Sequence, residues 1–457
     1  MEEWFVVTVT VCICFLLRSF LTLFSSKSGG GGGLSLPPGP PSFPIITAFS
    51  WMRKSFSQIE LLPNRTHLAL PPPQLAHKAL VHNGAIFSNR PASSQAANFI
   101  NTNQKNISSA FYGPTWRLFR RNLTFEILHP SRVKSYSAAR KWVLDILIRS
   151  LEQDAAAAVG INVVDHFYDE KIKRVERVQR DFIIKVGKSN VLNFLPDNPT
   201  LAKLVFRKDW AKLYQIRAEQ EQVLIPLIRA RKEQKADSGA EDRKMLSYVD
   251  SLLQLELLEE KRCLTEEEMI MANLVKHQRI QDTLVEEIKS RIGSLDVEIR
   301  EEDLHKLPYL KAVILEGLRR HSPGHFVLPH AVSEDTELNG HLIPKNGGTV
   351  NFMIAKMGWD PEVWEDPMEF KLERFLEKNG EVEFDVTGRK EIKMMPFGAG
   401  RRMCPVYQLA MLHLEYFTAN LVARFRWTAV DEVSLEEKQE FTRVMKQPLH
   451  ARLELRK

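Results

Sequence analysis

The sequence predicts a mostly helical α+β protein, a large helical domain accompanied by small β-sheets. Many long stretches place apolar residues at the spacing of one helix face. Strand-like runs are fewer and shorter, and prolines and turn residues bound them. The hydrophobic fraction of 44% is that of an ordinary globular protein, and no internal repeat is visible. Together these observations favour one α+β domain behind a distinct N-terminal segment.

The predicted helices differ in length and cover most of the chain. They lie at residues 74–83, 114–128, 137–152, 170–188, 201–235, 244–260, 265–292, 302–321 and 407–423. The predicted strands lie at residues 341–343 and 349–353. Residues 235–242 are polar and predict a connector between two helices.

The N-terminus predicts a membrane signal anchor over residues 1–26. Residues 4–24 are almost wholly apolar, and about 20 such residues suffice to cross a bilayer. No small-residue cleavage site follows the apolar run. Two glutamates precede this run, and the basic residues that follow it are Lys27, Arg53 and Lys54. This charge bias predicts that the body faces the cytosol, with a peripheral hairpin or a cleaved signal as the alternatives.

Residues 27–44 predict a tether and hinge between the anchor and the body at 45–457. Five consecutive glycines make a flexible piece, and the following prolines make a stiff extended one. The net charge of +6 is dispersed along the chain, which argues against nucleic-acid binding. The spacing of the cysteines suggests no disulfide framework, as expected in a reducing compartment; they are Cys12, Cys14, Cys263 and Cys404.

Cys404 stands out among the cysteines because of its surroundings. It ends the run Met-Pro-Phe-Gly-Ala-Gly-Arg-Arg-Met-Cys, and a predicted helix follows from residue 407. A cysteine beside guanidinium groups and a helix N-terminus favours the thiolate form, which is a soft metal ligand. The glycines allow a tight turn and a close approach to a flat ligand. The alternative is a buried structural cysteine in a loop.

This run resembles the haem-binding signature of the cytochrome P-450 family, Phe-x-x-Gly-x-Arg-x-Cys-x-Gly. Phe397, Gly400, Arg402 and Cys404 match it, whereas Val406 stands at its last glycine. The resemblance implies the cytochrome P-450 fold and haem b (iron protoporphyrin IX), with Cys404 as the iron ligand. If position 406 needs a positive φ, valine there costs about 1–3 kcal/mol; if φ is negative, the harm is crowding.

A second set of residues resembles the Glu-x-x-Arg helix of the same family. Glu316 and Arg319 are three residues apart in a predicted helix and so share a face. The resemblance implies that they meet Arg374 in a buried ion-pair network, because an isolated buried charge is costly. Leu372 replaces the proline usual near the second arginine. A solvated helix pair is the alternative.

Three more residues resemble family contacts to the haem propionates. Trp116 and Arg120 lie one helical turn apart, as in the family's Trp-x-x-x-Arg motif. A guanidinium group grips a carboxylate well, and Arg402 is a further candidate for the same role. His330 stands where the family has Pro-Arg or Pro-His and implies a donor to the second propionate. Surface packing for the pair and a plain loop for the histidine remain as alternatives.

The order of these motifs covers nearly the whole chain and looks like plant microsomal members. That resemblance implies a single-anchor protein of the endoplasmic reticulum membrane. Electrons would come from NADPH through a membrane-bound flavoprotein reductase, and a small apolar substrate would be oxidised with O2. The iron thiolate would favour O–O cleavage.

One family motif is absent. The string Ala/Gly-Gly-x-Asp/Glu-Thr-Thr of the central oxygen-binding helix occurs nowhere, so no catalytic residue is assigned. Residues 265–268 resemble the start of that helix and 271–277 its end, which predicts a truncated helix. Shortfalls also occur at 63–75 and 154–160. The alternatives are therefore a catalytically impaired haem-binding remnant and a haem-thiolate isomerase or dehydratase.

Overall fold

The computed structural model describes eleven stretches of the chain. They are residues 67–70, 73–93, 95–100, 103–156, 161–162, 207–237, 266–295, 297–345, 348–377, 380–439 and 442–456. The predicted anchor and tether, and the helices predicted at 170–188 and 244–260, lie outside them. Within these stretches, no helix has both the length and the apolar character needed to cross a membrane.

Helices form most of the described structure. The α-helices are α1 (Pro73–His77), α2 (Gln95–Ile100), α3 (Pro114–Asn122), α4 (Pro130–Ser135), α5 (Ser137–Ala156), α6 (Arg207–Asp237), α7 (Glu266–Lys276), α8 (Gln278–Ile292), α9 (Pro308–Arg320), α10 (Ile354–Gly358) and α11 (Tyr407–Arg424). Two π-helical segments follow α1 and α3; they are Lys78–His82 and Leu123–Ile127. The 3-10 turns are Ile86–Ser88, Glu301–Lys306, Leu372–Arg374 and Gly400–Arg402.

The strands are short and form four small sheets. They are β1 (His67–Leu70), β2 (Ile161–Asn162), β3 (His330–Ala331), β4 (Thr336–Leu338), β5 (His341–Ile343), β6 (Thr349–Phe352), β7 (Phe425–Ala429), β8 (Glu437–Gln439), β9 (Arg443–Met445) and β10 (His450–Leu455). Strand β6 pairs parallel with β1 and antiparallel with β3, while β10 lies between β2 and β7. The remaining pairs, β4–β5 and β8–β9, are antiparallel hairpins. The predicted mostly helical fold with small sheets is confirmed.

The continuous helix predicted over 265–292 is wrong at one point. The chain forms α7 and α8 with His277 between them, at φ −111° and ψ 72°. The ring of His277 stacks on Phe370 at 5.7 Å between centroids. The side-chain amide of Gln278 donates to the Trp427 carbonyl at 2.8 Å. These tertiary contacts compensate for the interrupted helical hydrogen bonds, and sequence periodicity carries no sign of them.

The helix predicted over 302–321 begins later than expected. A 3-10 turn comes first, and α9 starts at Pro308, whose missing N–H is harmless at the first helical position. The Glu287 carboxylate accepts from the backbone N–H groups of Tyr309 at 2.8 Å and Leu310 at 3.0 Å. These two groups lack partners within the helix, so Glu287 acts as a cap from the neighbouring α8.

Helix α7, the remainder of the predicted central helix, has 11 residues and belongs to the core. Ala272 and Leu274 are fully buried in it. It packs closely against α9, because a Cβ added at Gly317 would lie only 2.8 Å from Ile270 Cγ1. Its inward residues therefore serve helix packing.

The segment 394–404, here called the cysteine loop, joins two hydrophobic cores. The larger core is formed mainly by helices α7, α8, α9 and α11 with the sheet of β7 and β10, and it includes Met394. The smaller core combines α1 with β6 and α10, and it includes Met395 and Ala399. The loop is thus fixed on both sides before it reaches Cys404.

Candidate functional site

The cysteine loop takes a shape that requires glycine at two positions. Gly398 and Gly400 both have φ +69°, a left-handed conformation that side chains rarely adopt. A Cβ at Gly400 would also collide with the Leu80 carbonyl oxygen. The N–H of Cys404 donates to the Phe397 carbonyl at 2.8 Å and closes the loop. The cysteine is consequently held at the start of α11 and remains partly exposed.

Val406 is the first residue after this loop to depart from the family signature. Its φ is −96°, in a region that any residue adopts. Its carbonyl accepts the first helical hydrogen bond of α11, from Ala410 N–H at 2.9 Å. The valine therefore adds no backbone strain at the helix start.

A cleft of about 380 Å³ opens in front of Cys404. Arg120 lines it, and this guanidinium donates no hydrogen bond to any described residue. Burial lowers the pKa of Arg120, and the negative charge of an ionised Cys404 opposes that shift. A thiol and a guanidinium with unused donors thus share one cleft. Sequence reasoning missed most of the other lining residues, which include Leu80, Thr124, Arg389, Arg401, Tyr407 and Gln408.

Arg402 lies beside this cleft but is bonded to the main chain. It donates to the carbonyls of Ser88 at 2.8 Å and Ala110 at 2.6 Å. Its guanidinium stacks on the Trp116 ring at 4.4 Å, and the indole N–H donates to the Ile107 carbonyl at 2.9 Å. Burial, followed by repulsion from Arg120, lowers the pKa of Arg402 to about 10. The structure brings Trp116 and Arg402 together, and main-chain carbonyls already accept from the indole N–H and from most N–H groups of the guanidinium.

His330 lies on β3, buried between two arginines. Its Nδ1 is 2.6 Å from the Phe87 carbonyl oxygen, which assigns the proton of the neutral ring to Nδ1. Burial, then repulsion from Arg90 and Arg402, lowers its pKa to about 3. The ring is therefore neutral near pH 7, and Nε2 is an acceptor. In this arrangement Nδ1 is engaged by the Phe87 carbonyl, and the role of propionate donor stays a prediction for His330.

Arg90 was missed by the sequence reasoning. It donates to the carbonyls of Leu328 and Pro329, both at 2.9 Å, and so holds the segment before His330. Burial, then repulsion from Arg402, lowers its pKa to about 9. In the sequence Arg90 lies between Asn89 and a proline, and this arrangement matches no motif that would have indicated its role.

Glu316, Arg319 and Arg374 meet away from the cleft. Arg319 donates to both carboxylate oxygens of Glu316, at 2.7 and 2.8 Å, and both side chains are fully buried. Nε of Arg374 lies 3.4 Å from Oε1 of Glu316. The backbone N–H of Lys371 donates to the same oxygen at 2.9 Å. The carboxylate thus ties α9 to the segment that follows α10.

The donors of the cleft suit a metal complex that carries carboxylates. Cys404 offers a thiolate for the metal, and Arg120 offers unused N–H groups for an anion. No carboxylate of the described residues forms an ion pair with Arg90, Arg120 or Arg402. The residues present therefore fit a haem, whose propionates would supply the missing negative charge.

Comparisons with known proteins agree with this chemistry. The family model for cytochrome P450 matches residues 45–272 and 265–455, so its two parts meet at 265–272. Cytochrome P450 89A9 of Arabidopsis thaliana is 42% identical, over 92% of this chain and 93% of its own length. Flavonoid 3'-monooxygenase of the same plant is 26% identical, over 94% and 92% respectively.

A comparison with solved structures agrees on the fold. A solved zebrafish cytochrome P450 with progesterone superposes with a TM-score of 0.67 at 20% identity. The match covers 97% of this chain and 99% of the zebrafish chain, so the two share one fold. This chain therefore belongs to the cytochrome P450 family of monooxygenases, with relatives of the plant type.

Proposed function

We propose that this protein is a membrane-anchored haem-thiolate monooxygenase that oxidises a small apolar substrate with O2. The observation that carries the proposal is the cleft shared by Cys404 and Arg120. It combines a thiol, unused cationic donors and a loop whose glycines permit close approach. Each feature has a use in holding an iron porphyrin.

Haem b is the proposed cofactor, with Cys404 Sγ as the iron ligand. When bound, haem supplies the activation of dioxygen, which a thiolate ligand promotes. Arg120 would pair with a propionate, because it is a partly buried cation of the cleft whose N–H groups bond to none of the described residues. The Trp116 indole would help to position Arg120 and Arg402, since both guanidinium groups lie over its ring. A neutral His330 would leave the positive charge near the propionates unchanged.

The remaining shape of the pocket would come from Phe397 and Gly400. The ring of Phe397 lies 6.2 Å from that of Tyr407 and covers the start of α11. Gly400 lets the loop lie directly on the backbone of the Lys78–His82 segment. Both residues would fix the direction in which the Cys404 thiolate points.

The cellular setting rests on the sequence. Residues 1–26 would anchor the chain in the endoplasmic reticulum membrane, with 27–44 as tether and the body at 45–457 in the cytosol. The support is the apolar run and the charges around it. A membrane-bound flavoprotein reductase would deliver electrons from NADPH, as the plant microsomal resemblance implies.

The carbon-monoxide difference spectrum of the reduced, haem-loaded full chain tests this function. We expect a thiolate-type band that Cys404→Ser abolishes. Cys263→Ser is the matched control, because it removes another thiol and should leave the band intact. An unchanged spectrum in Cys404→Ser, or no thiolate-type band in the parent chain, would refute the proposal.

A second candidate is a haem-binding protein with impaired oxygen turnover. It is favoured by the absent Ala/Gly-Gly-x-Asp/Glu-Thr-Thr string and by the meeting of the two family matches at 265–272. The lining of the cleft at Cys404 includes no residue of α7. An open distal side would admit water and favour peroxide release over substrate oxidation.

Reductase-coupled turnover separates these candidates. NADPH consumption matched to product across a panel of apolar substrates would support the monooxygenase and exclude the impaired remnant. Consumption that ends mainly in peroxide would support the second candidate. Conversion of an oxygenated substrate without NADPH or O2 would instead favour a haem-thiolate isomerase or dehydratase.

A further inference from the structure

A partly buried carboxylate with two histidines lies between the end of α9 and the β8–β9 hairpin. Glu437 Oε1 is 2.9 Å from Nδ1 of His321, and its Oε2 is 3.1 Å from Nε2 of His325. Nη2 of Arg443 lies 2.9 Å from Nδ1 of His325. We call these four residues the Glu437 clasp. Both strands of the hairpin contribute to it, Glu437 from β8 and Arg443 from β9.

The chemistry of the clasp fixes its protons. A guanidinium can only donate, so His325 Nδ1 accepts from Arg443 and His325 Nε2 carries the proton. His325 therefore donates to Glu437 through Nε2. Burial would raise the pKa of Glu437, but the hydrogen bonds from both histidines, and their positive charge when protonated, outweigh it and lower the pKa to about 2. The carboxylate is thus ionised and accepts from both sides.

Glu437 is the group that orients His321. His321 is 7% exposed, and its Nε2 has no hydrogen-bond partner among the described residues. Burial lowers the pKa of this ring, and Glu437 opposes the shift, while Arg319 and Arg320 reinforce it. The backbone N–H of Arg443 also donates to the Pro323 carbonyl at 2.8 Å. Loss of the carboxylate would therefore release two rings and weaken the hold of the hairpin on residues 321–325.

The segment held by the clasp continues along the chain to Val327, which lies beside the cysteine loop. Two residues after His325, the N–H of Val327 donates to the Phe352 carbonyl at 3.2 Å. Val327 packs against the smaller core, which includes Met395 and Ala399 of the cysteine loop, and a Cβ built on Gly398 would lie 3.6 Å from Val327 Cγ1. Farther on, Arg90 holds the carbonyls of Leu328 and Pro329. Val327 thus forms part of the wall beside the loop that presents Cys404.

We propose that Glu437 is a positioning residue for the Cys404 site, acting through His321, His325 and the wall at Val327. It touches neither the cleft nor Cys404. It fixes one end of the segment 321–330, whose middle supports the cysteine loop. The proposal rests on the function proposed for Cys404, and it adds a residue that no sequence motif indicated.

The test uses the full chain without added haem, with Glu437→Gln as the variant. A glutamine can accept from one histidine but presents an N–H to the other, so the clasp opens on one side. We expect hydrogen exchange at the Val327 amide and alkylation of Cys404, followed by peptide mass spectrometry, to accelerate at least about threefold. Glu436→Gln is the matched control, because Glu436 pairs with Lys446 at 2.7 Å on the exposed side of the same hairpin. That control should change neither rate.

An unchanged Cys404 alkylation rate in Glu437→Gln, even with a lower melting temperature, would overturn the proposal and leave the clasp a purely structural contact. If Glu437→Gln does not fold, the same rates are measured on Arg443→Met, which keeps the carboxylate and both histidines. Faster exchange and alkylation there support the proposal, and rates equal to those of the control overturn it. Neither readout needs haem, so a failure of the carbon-monoxide test would refute the proposed function alone.

Discussion

Two of the regions that bury arginine side chains in this molecule balance the arginine charge differently. Around Glu316, one carboxylate accepts from Arg319 and Arg374 and from a backbone N–H. Around Cys404, Arg90 and Arg402 donate to backbone carbonyls, and the described residues bring no carboxylate to them. In the first region both arginines share a carboxylate of the chain, whereas in the second the described residues supply none.

The difference separates a structural network from a binding region. An unpaired buried charge is costly. In the Glu316 network every charged group has a partner of opposite charge, so it needs no ligand. Carbonyl dipoles can hold a guanidinium in place, but they do not neutralise it. Lowered pKa values at Arg90, Arg120 and Arg402 report this cost, since burial is the first cause of each. An anionic ligand in the cleft would remove it.

Breaking the Glu316 network should give the largest effect. Glu316→Gln leaves two buried guanidinium groups without their carboxylate, and we expect a loss of about 3–5 kcal/mol in the free energy of unfolding. Denaturant unfolding of the full chain measures it. Glu302→Gln is the control, because Glu302 is exposed and pairs only loosely with Arg300 at 3.5 Å. A loss no greater than that of the control would show that the network does not carry the stability ascribed to it.

We call the surroundings of Cys404, with Arg90, Arg120 and Arg402, the cationic region. Its backbone can be perturbed without changing its charge. Gly398→Ala and Gly400→Ala both place a side chain at φ +69°, which costs about 1–3 kcal/mol in each. Only Gly400→Ala also collides with the Leu80 carbonyl, and overpacking of this kind adds about 1–3 kcal/mol. We expect thermal unfolding to rank Gly400→Ala as the less stable variant. Equal melting temperatures would mean that the loop does not lie against Leu80.

The sequence predicted the members of the Glu316 network but not the state of the cationic region. Glu316, Arg319 and Arg374 belong to motifs with fixed spacing, and formation of α9 places Glu316 beside Arg319. Arg402 and Trp116 also belong to motifs, yet the sequence could not show that main-chain carbonyls occupy their donors. Those carbonyls belong to residues 88, 107 and 110, and a residue of any type would supply the same main-chain carbonyl.

The helix boundaries also divide into those that local sequence predicts and those that contacts with distant residues determine. The apolar periodicity predicted α11 closely, because its buried face and its start after Cys404 are both local features. The break at His277 and the cap of α9 by Glu287 depend on side chains from other elements, and spacing alone does not reveal them. Local signals thus located the cysteine and the network, while long-range contacts decided how each is held.

Acid should destabilise the folded chain, because its cationic region keeps His330 neutral while the unfolded chain binds a proton there. The folded pKa of His330 is about 3, below the 6.5 of an unperturbed histidine. Between these values the unfolded chain binds one proton more, so the contribution of His330 to stability is complete above pH 6.5 and declines as the pH falls towards 3. The slope approaches about 1.4 kcal/mol per pH unit. Unfolding measured from pH 7 to 5 should show a flatter profile in His330→Asn, whose amide can still donate to Phe87. Parallel profiles would contradict the buried neutral ring.

The smallest effect on stability is the one that tests the comparison most directly. Arg120→Met removes a cation that repels Arg402 and donates no hydrogen bond to the described chain. Without haem we expect a change below about 1 kcal/mol, and in the stabilising direction, because a partly exposed charge of this kind contributes little. With haemin we expect about tenfold weaker binding, or about 1.4 kcal/mol, because a propionate loses its charged partner.

The control for Arg120→Met is Arg117→Met on the same helix. Arg117 is exposed and lies over the Tyr112 ring at 5.4 Å, outside the cleft, so neither stability nor haemin affinity should change. Unfolding and haemin titration on both variants give the result. If Arg120→Met destabilised the haem-free chain as much as Glu316→Gln does, Arg120 would be a structural cation and the two regions would not differ in kind. A small change in stability joined to a clear loss of affinity is what a region prepared for an anionic ligand requires.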